Sequence, residues 1–248
     1  MEKVEVLRQY FGFSSFREGQ QTLIDAVLAG RDVLGVMPTG GGKSLCYELP
    51  ALLLPGLTLV ISPLISLMKD QVMALQNAGI PAGCIHSAMS VEELREAYRD
   101  TRFGAYKILY IAPERLLTDG FCALAQELEI SLLAVDEAHC ISQWGQDFRP
   151  SYLKILDFLQ KLPRRPALAA FTATATAQVR SDIVRILQLQ DPVTVVTGFD
   201  RPNLRFEVLR LQDKRRALLE LLEERRDKSG IVYCATRKGV EQICELLQ

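Results

Sequence analysis

Short apolar segments alternate with amphipathic segments along the first 197 residues. The apolar segments are nearly continuous in Val, Ile, Leu and Ala, which is typical of strands buried on both faces of a sheet. The predicted strands are Asp32–Val36, Leu57–Ser62, Gly83–His86, Lys107–Ile111, Ser131–Val135, Ala167–Phe171 and Val193–Thr197. Because helical segments separate most of them, we expect an α/β fold with a doubly wound, mostly parallel sheet.

Apolar residues three and four positions apart predict the helices that accompany these strands. Ser90 followed by Glu93 has the spacing of a capping box, and Thr176 is suited to cap a further helix from Ala177. The other predicted helices are Val4–Phe11, Gly19–Ala29, Leu64–Ala78 and Val91–Asp100.

A polar, turn-rich segment, Gly198–Asn203, separates residues 1–197 from residues 198–248. The second region has two predicted strands, Leu204–Leu209 and Ile231–Ala235, and two predicted helices, Asp213–Asp227 and Lys238–Gln248. So few elements do not bury a large core. We therefore expect 1–197 to be a complete domain and 198–248 to be a linker with the incomplete start of a second α/β domain.

The segment Val33–Leu49 has the order that a phosphate-binding loop requires, which is a strand, a glycine-rich turn and a helix opening at Lys43. Thr39 and the glycines Gly40, Gly41 and Gly42 let backbone N–H groups converge on an anion. Lys43 then reaches the phosphates, and the Ser44 hydroxyl ligates Mg²⁺. The strict pattern has glycine at position 37, where this chain has Met37.

An acidic pair, Asp136 and Glu137, follows the predicted strand Ser131–Val135. Mg²⁺ bound to nucleotide phosphates needs an acidic anchor, for which Asp136 is placed, and hydrolysis needs a base for water, for which Glu137 is the candidate. Taken alone, the pair could be an exposed strand end. Together with the phosphate loop it indicates a nucleoside-triphosphate hydrolase.

Composition narrows the partners and the compartment. Lys and Arg number 29 against 30 Asp and Glu, for a net charge of −1, so a nucleic acid would need a local groove. The six cysteines form no C-x-x-C pair, which favours free thiols in a reducing compartment. Leu49–Met68 lacks charged residues, but three prolines within it, Pro50, Pro55 and Pro63, argue against a membrane helix.

Five segments resemble the motor of superfamily-two helicases. MPTGGGKS, the DEAH sequence Asp136–His139 and FTATAT at Phe171–Thr176 are similar to its nucleotide motifs. FGFSSFREGQ (Phe11–Gln20) and CISQWGQDFRPSY (Cys140–Tyr152) are similar to the RecQ family of ATP-dependent DNA helicases. The resemblance implies a RecA-like first motor domain followed by a truncated second motor domain. It also accounts for Met37, because the phosphate loops of this family begin with a non-glycine residue.

The resemblance implies an adenine site ahead of the phosphate loop. Gln20 would hydrogen-bond the base, while Phe13 and Arg17 would stack on its ring. From the residues alone, Phe11, Phe13 and Phe16 could instead be core residues of a helix and turn.

The resemblance also implies DNA contacts and their coupling to hydrolysis. Trp144, Phe148 and Arg149 would bind single-stranded DNA by stacking and by phosphate contact, although both aromatic residues could instead fill the edge of the sheet. His139 would couple DNA to ATP through a hydrogen bond to the region Thr172–Thr174. Ser62–Pro63 and Ala112–Arg115 resemble motifs that grip the DNA backbone, but each could be a routine turn.

We therefore expect an ATP-dependent 3′–5′ DNA helicase of RecQ type that uses ATP and Mg²⁺, acts on single-stranded and duplex DNA in repair and recombination, and has no membrane segment. Its expected location is the cytoplasm or nucleoid, or the nucleus in a eukaryote. Two alternatives stay open. One is an ATP- and DNA-binding fragment with little turnover, and the other is an RNA helicase of the same superfamily.

Overall fold

A computed structural model describes residues 2–198, 204–210 and 213–247. The chain divides into two compact units, Met1–Phe199 and Asp200–Gln248, two residues from the boundary that the sequence predicts. The predicted connection Gly198–Asn203 lies outside the described residues except for Gly198.

Among the described residues, the first unit contains a sheet of seven strands in the order β3-β4-β2-β5-β6-β1-β7, and every described pair is parallel. This confirms the predicted α/β class. The strands are β1 (Val33–Val36), β2 (Leu57–Ile61), β3 (Ala82–Ile85), β4 (Ile108–Ile111), β5 (Ile130–Val135), β6 (Ala167–Thr172) and β7 (Val193–Val196).

Helices flank this sheet, and three short 3₁₀ helices follow strand ends or precede helices. The first unit has α1 (Lys3–Phe11), α2 (Gln20–Leu28), α3 (Leu45–Leu53), α4 (Ile65–Asn77), α5 (Val91–Arg102), α6 (Asp119–Glu127), α7 (Lys154–Lys161) and α8 (Ala177–Ile186). The 3₁₀ helices are Pro113–Arg115, Ala138–Ile141 and Pro150–Leu153. The sequence reasoning missed α6 and α7.

The inner strands are largely apolar because the sheet is covered on both faces there. In β5, Leu133 and Val135 belong to one buried cluster, whereas Leu132 and Ala134 belong to another. A third, smaller cluster lies among α1, α2 and α3 and includes Val6, Leu7, Ile24, Leu45 and Leu49. Successive side chains point to opposite faces of a strand, so a strand buried on both faces has no polar alternation.

Local signals at helix ends agree with the structure. Ser90 Oγ accepts from the Glu93 N–H at 3.2 Å, and the Glu93 carboxylate accepts from the Ser90 N–H at 2.7 Å, which confirms the capping box of α5. Pro50, by contrast, is a residue that usually disrupts helices, yet it lies inside α3, which continues to Leu53. Burial of Leu45, Leu49 and Pro50 itself keeps the helix intact despite the missing N–H.

In the second unit, the structure describes α9 (Lys214–Glu224) and α10 (Arg237–Leu247), which the predicted helices match apart from their ends. The strands predicted over Leu204–Leu209 and Ile231–Ala235 are wrong, since both segments have no regular secondary structure. A strand exists only where neighbouring strands take its N–H and C=O groups. Apolar residues here are largely exposed instead, including Phe206 and Tyr233.

Among residues 2–198, 204–210 and 213–247, none of the helices combines the length and apolar character needed to cross a bilayer.

Asp32, just before β1, ties three parts of the first unit together. Its buried carboxylate accepts two hydrogen bonds from the Arg165 guanidinium, at 2.5 and 3.1 Å. It also accepts from the N–H groups of Leu168 in β6, at 2.9 Å, and of Gln190 before β7, at 2.6 Å. This one side chain therefore fixes the amino ends of β6, β1 and β7, which are neighbours in the sheet.

Replacing Asp32 should destabilise the first unit strongly. We expect Asp32→Asn to lower the free energy of unfolding by about 3 kcal/mol, because a buried ion pair is broken and an amide faces N–H donors. Urea denaturation followed by circular dichroism measures this. The matched control is Asp191→Asn, which alters an exposed contact to Arg31 and should leave the midpoint unchanged. Equal effects of the two substitutions would contradict the role given to Asp32.

Candidate functional site

The carboxyl ends of neighbouring strands are joined by backbone hydrogen bonds that continue one residue past the strands. Met37 N donates to Thr172 O at 3.0 Å, which places the start of the glycine-rich loop beside the end of β6. Asp136 N donates to Ile61 O at 2.9 Å, and Ser62 N donates to Ile111 O at 3.2 Å. The sheet order then sets Ser62, Asp136, Thr172 and Met37 in one row at this edge.

The glycine-rich loop between β1 and α3 has the backbone that the sequence predicts. Gly40 and Gly42 have φ of 79° and 81°, a region that other residues rarely adopt. The first helical residue is Leu45 and not Lys43, although the Cys46 N–H already bonds the Lys43 carbonyl at 2.9 Å. The Lys43 ammonium donates to the Met37 carbonyl at 3.2 Å, so it lies across the loop.

The segment ahead of β1 reaches this loop through Gln20 and Arg17. The buried Gln20 amide donates to the carbonyls of Gly42, at 3.0 Å, and Gly41, at 3.4 Å, and it accepts from the Arg17 N–H at 2.7 Å. The Arg17 guanidinium donates to the Gly40 carbonyl. The predicted adenine segment and phosphate loop are thus in direct contact.

The three phenylalanines of this segment differ in burial. Phe11 and Phe16 pack against the small cluster under α1, α2 and α3, whereas Phe13 is about half exposed. Phe11 and Phe16 are therefore packing residues, and Phe13 is free to contact a ligand.

The acidic pair at the end of β5 combines burial with backbone strain. Asp136 is 9% exposed, and burial together with the neighbouring Glu137 raises its pKa to about 6. Glu137 has φ of 47°, which is unusual outside glycine. The positive charge of Lys43 acts on both carboxylates, so the ammonium lies near them.

This pair suits a divalent cation held through phosphates. Among the described residues, no group of three or more His, Cys, Asp or Glu side chains is arranged to hold a metal alone. Mg²⁺ typically takes one or two protein oxygens and completes its shell with phosphate and water. A buried carboxylate with a raised pKa gains from a cation, so Asp136 and the Ser44 hydroxyl fit this ion.

His139 lies in the 3₁₀ helix after the acidic pair and links two strand ends. Its Nδ1 is 2.9 Å from Thr172 Oγ1 and 3.2 Å from Glu137 Oε2. Contact with the Cys140 sulfur and with the Glu137 carboxylate raises the pKa of His139, and the imidazole in turn lowers the pKa of Glu137. The predicted link from His139 to Thr172 is present, and Thr172 Oγ1 also contacts the backbone of Thr174.

A buried polar layer, which the sequence reasoning missed, supports the site. The Tyr110 hydroxyl donates to Glu48 Oε1 at 3.1 Å, and the Tyr47 hydroxyl hydrogen-bonds Tyr110 and the Ser44 side chain. The Tyr152 hydroxyl donates to the Asp136 carbonyl at 2.9 Å. These tyrosines look like ordinary core residues in sequence, because only the fold brings their hydroxyls to the site.

The aromatic segment forms a loop whose tip faces solvent. Trp144 is 75% exposed and Phe148 is half-buried, so Trp144 does not fill the sheet edge. A crevice of about 290 Å³ separates the indole from Thr174, Ala175, Thr176 and Val179. The Arg149 guanidinium is held by Asp147 and by the Pro63 carbonyl, at 2.8 Å, so the loop is tied to the turn after β2.

Buried polar groups lie at the ends of β2, β3 and β4. Ser62 Oγ, His86 Nδ1 and Arg115 Nε are buried and lack a hydrogen-bond partner among the described residues. The Arg115 guanidinium does contact the His86 carbonyl at 3.3 Å through another nitrogen. The segments Ser62–Pro63 and Ala112–Arg115 therefore share the edge that holds the acidic pair.

Glu48 should make stability depend on pH. Burial raises its pKa from 4.5 to about 7. The folded state therefore holds a proton that the unfolded state releases above pH 4.5, so this contribution weakens as pH rises and levels off above pH 7. We expect Glu48→Gln to gain stability relative to the parent by roughly 3 kcal/mol between pH 4.5 and 8. Urea midpoints of both proteins across this range measure the difference, and a constant difference would contradict it.

Comparison with known proteins agrees with this geometry. The model of the DEAD/DEAH box helicase family matches residues 17–183. The chain is 49% identical over 244 residues to the ATP-dependent DNA helicase RecQ of Bacillus subtilis, covering 98% of this chain and 41% of that protein. It is 45% identical over 245 residues to RecQ of Pasteurella multocida, covering 99% and 39%. The chain thus spans about two fifths of the length of these relatives.

A solved structure supports the fold at low identity. The hypothetical ATP-dependent RNA helicase from Sulfolobus tokodaii superposes with a TM-score of 0.63 at 22% identity, covering 98% of this chain and 71% of that one. The family match includes the glycine-rich loop, the acidic pair and the Phe171–Thr176 segment. This chain therefore belongs to the DEAD/DEAH box helicases, and over nearly its whole length it is similar to RecQ helicases.

Proposed function

We propose that this chain binds and hydrolyses ATP at the carboxyl edge of its sheet, and that the protein containing it moves 3′ to 5′ on single-stranded DNA and separates duplexes. The supporting observation is the row of strand ends in which the Met37 N–H bonds the Thr172 carbonyl at the end of β6 and Asp136 follows β5, the next strand of the sheet. This row sets the glycine-rich loop beside the acidic pair, as phosphoryl transfer requires.

Each residue of the proposed ATP site has a distinct task. The N–H groups of Thr39 to Gly42 and the start of α3 cradle the phosphates. Lys43 leaves the Met37 carbonyl and pairs with phosphate oxygens. Ser44 and Asp136 would hold Mg²⁺, which would supply positive charge to the phosphates. Glu137 is kept ionised by His139, so it can accept a proton from the attacking water.

Adenine would bind beside the loop. The exposed Phe13 ring and the Arg17 guanidinium are available for stacking, and the Gln20 amide would pair with the base edge. Gln20 already bonds the Gly42 carbonyl. Occupancy of the base site therefore has a direct route to the phosphate loop.

DNA would bind across the aromatic loop and the neighbouring strand ends. Trp144 offers an exposed face for stacking a base, with Phe148 and Arg149 behind it, while Ser62 and Pro63 lie at the turn that Arg149 contacts. His139 connects the start of this loop to Glu137 and to the Thr172–Thr174 segment. DNA occupancy and hydrolysis would be coupled through these contacts.

A second candidate is an ATP- and DNA-binding unit with little turnover of its own. It is favoured by the second unit, in which neither α9 nor α10 has a buried residue. P-loop NTPases can complete the γ-phosphate site with an arginine supplied by another domain or protein. The same hydrolysis assay separates the two candidates.

ATP hydrolysis should depend on Lys43 and Glu137 in different ways. We expect Lys43→Ala to abolish ATP binding, whereas Glu137→Gln should retain binding and lower turnover by about 10²–10⁴-fold, since only proton acceptance is lost. Fluorescent-nucleotide binding and phosphate release measure the two steps, with single-stranded DNA present or absent.

The matched control is Glu127→Gln, an exposed glutamate paired with Arg102, which should behave as the parent. Retained binding without turnover in the parent would favour the second candidate. Turnover that survives Glu137→Gln would contradict the role of Glu137.

Single-stranded DNA affinity should depend on Trp144. We expect Trp144→Ala to weaken binding by about 5–100-fold, because a stacked base contributes about 1–3 kcal/mol. Fluorescence anisotropy of a labelled oligonucleotide measures it. Phe103→Ala is the control, since Phe103 is 80% exposed at the end of α5. Stronger binding of RNA than of DNA, or equal effects of both substitutions, would argue against the proposal.

A further inference from the structure

The tip of the aromatic loop is held at Ser142. Ser142 is fully buried, and its Oγ accepts a hydrogen bond from the Trp144 N–H at 3.2 Å, while its carbonyl accepts from the Gly145 N–H at 2.9 Å. A side chain at Gly145 would come within 2.3 Å of the His139 carbonyl, so the turn is tight. The backbone beneath the indole is therefore fixed even though the indole itself faces solvent.

Ser142 is in turn held by Asp182 from helix α8. Ser142 Oγ donates to Asp182 Oδ2 at 2.7 Å, and the Asp182 side chain is only 9% exposed. Its other oxygen accepts from the exposed Arg185 at 3.0 Å and contacts Gln178 at 3.5 Å. A buried carboxylate keeps its place when its oxygens are satisfied, so Asp182 is a rigid anchor.

Helix α8 directly follows the segment Thr172–Thr176, whose first residue hydrogen-bonds His139. Thr172 bonds His139 at one end of this segment, and Thr176 caps α8 through the Val179 N–H at the other. Helix α8 is therefore connected to His139 through this segment and to the aromatic loop through Asp182. The aromatic loop and His139 are thus joined by two routes, one through the chain and one through α8.

The indole of Trp144 is not closely packed by its neighbours. One crevice beside Trp144 has about 290 Å³, and a second of about 340 Å³ lies between the indole and Phe148, Asp182 and Arg185. Neighbouring side chains therefore do not hold Trp144 in place. The hydrogen bonds of its backbone determine where the indole is presented.

We propose that Asp182 is a positioning residue, which through Ser142 holds the Trp144 backbone in the orientation that receives DNA and transmits its binding to the ATP site. The transmission part rests on the proposed function. The positioning part does not, because it concerns the chain without ligand.

The first experiment measures the mobility of Trp144, the single tryptophan of this chain. Time-resolved anisotropy of the ligand-free chain reports nanosecond motion of the indole, which suits a residue that is already exposed. Asp182→Ala and Ser142→Ala should each raise the amplitude of fast depolarisation at least twofold. The double variant should be little more mobile than either single variant, since both substitutions remove the same hydrogen bond between Ser142 and Asp182.

Two further variants make the test specific. Asp182→Asn retains an oxygen that can accept from Ser142, so it should restore much of the rigidity. Arg185→Ala removes an exposed partner of Asp182 and leaves the Ser142 hydrogen bond, so it should change the mobility far less than Asp182→Ala does. Unchanged mobility in Asp182→Ala, or an equal change in Arg185→Ala, overturns the proposal. Should Asp182→Ala fail to fold by circular dichroism, Ser142→Ala decides, because it removes a single hydroxyl.

The second experiment tests transmission by comparing ATP hydrolysis with and without single-stranded DNA. Stimulation by DNA should fall about tenfold in Asp182→Ala relative to Arg185→Ala, within the range of coupling energies between sites. Full stimulation despite a mobile Trp144 overturns the transmission part. A parent chain that does not respond to DNA contradicts the proposed function, and the anisotropy result still decides the positioning of the loop.

Discussion

The site depends on hydrogen bonds between the ends of parallel strands. Because every described pair is parallel, the carboxyl ends of β2, β5, β6 and β1 lie at one edge, and the strand order places Asp136, Thr172 and Met37 in a row there. No residue of this row is near another in sequence. Burial of both faces fixes the register, since a shift by one residue would exchange the two side-chain layers and disrupt the packing on both faces.

Two acidic side chains are buried near this edge, although burying a carboxylate is energetically unfavourable. Glu48 and Asp136 are buried acids whose pKa values are raised to about 7 and about 6. Glu137 adds a strained backbone directly after β5. Neutral residues could fill the same space without the cost of burying an acid. Buried acids therefore suit a site at which a bound cation compensates their negative charge.

Three contacts join the aromatic loop to the rest of the edge. His139 bonds Thr172 at the end of β6, Arg149 bonds the Pro63 carbonyl beyond β2, and Ser142 bonds Asp182 in α8. Their common result is a loop with a fixed base and an exposed tip. A ligand can reach Trp144 at the exposed tip, while the base of the loop stays attached to the carboxyl edge of the sheet.

The sequence by itself determined the strands of the first unit, the glycine-rich loop and the acidic pair, because each is written in contiguous residues with a local physical reason. It did not determine the helix through Pro50, the roles of Tyr47, Tyr110 and Tyr152, or the anchor at Asp182. Two strands predicted in the second unit are absent, since an apolar run becomes a strand only beside partners. Those features depend on residues distant in sequence, whose contacts only the tertiary structure decided.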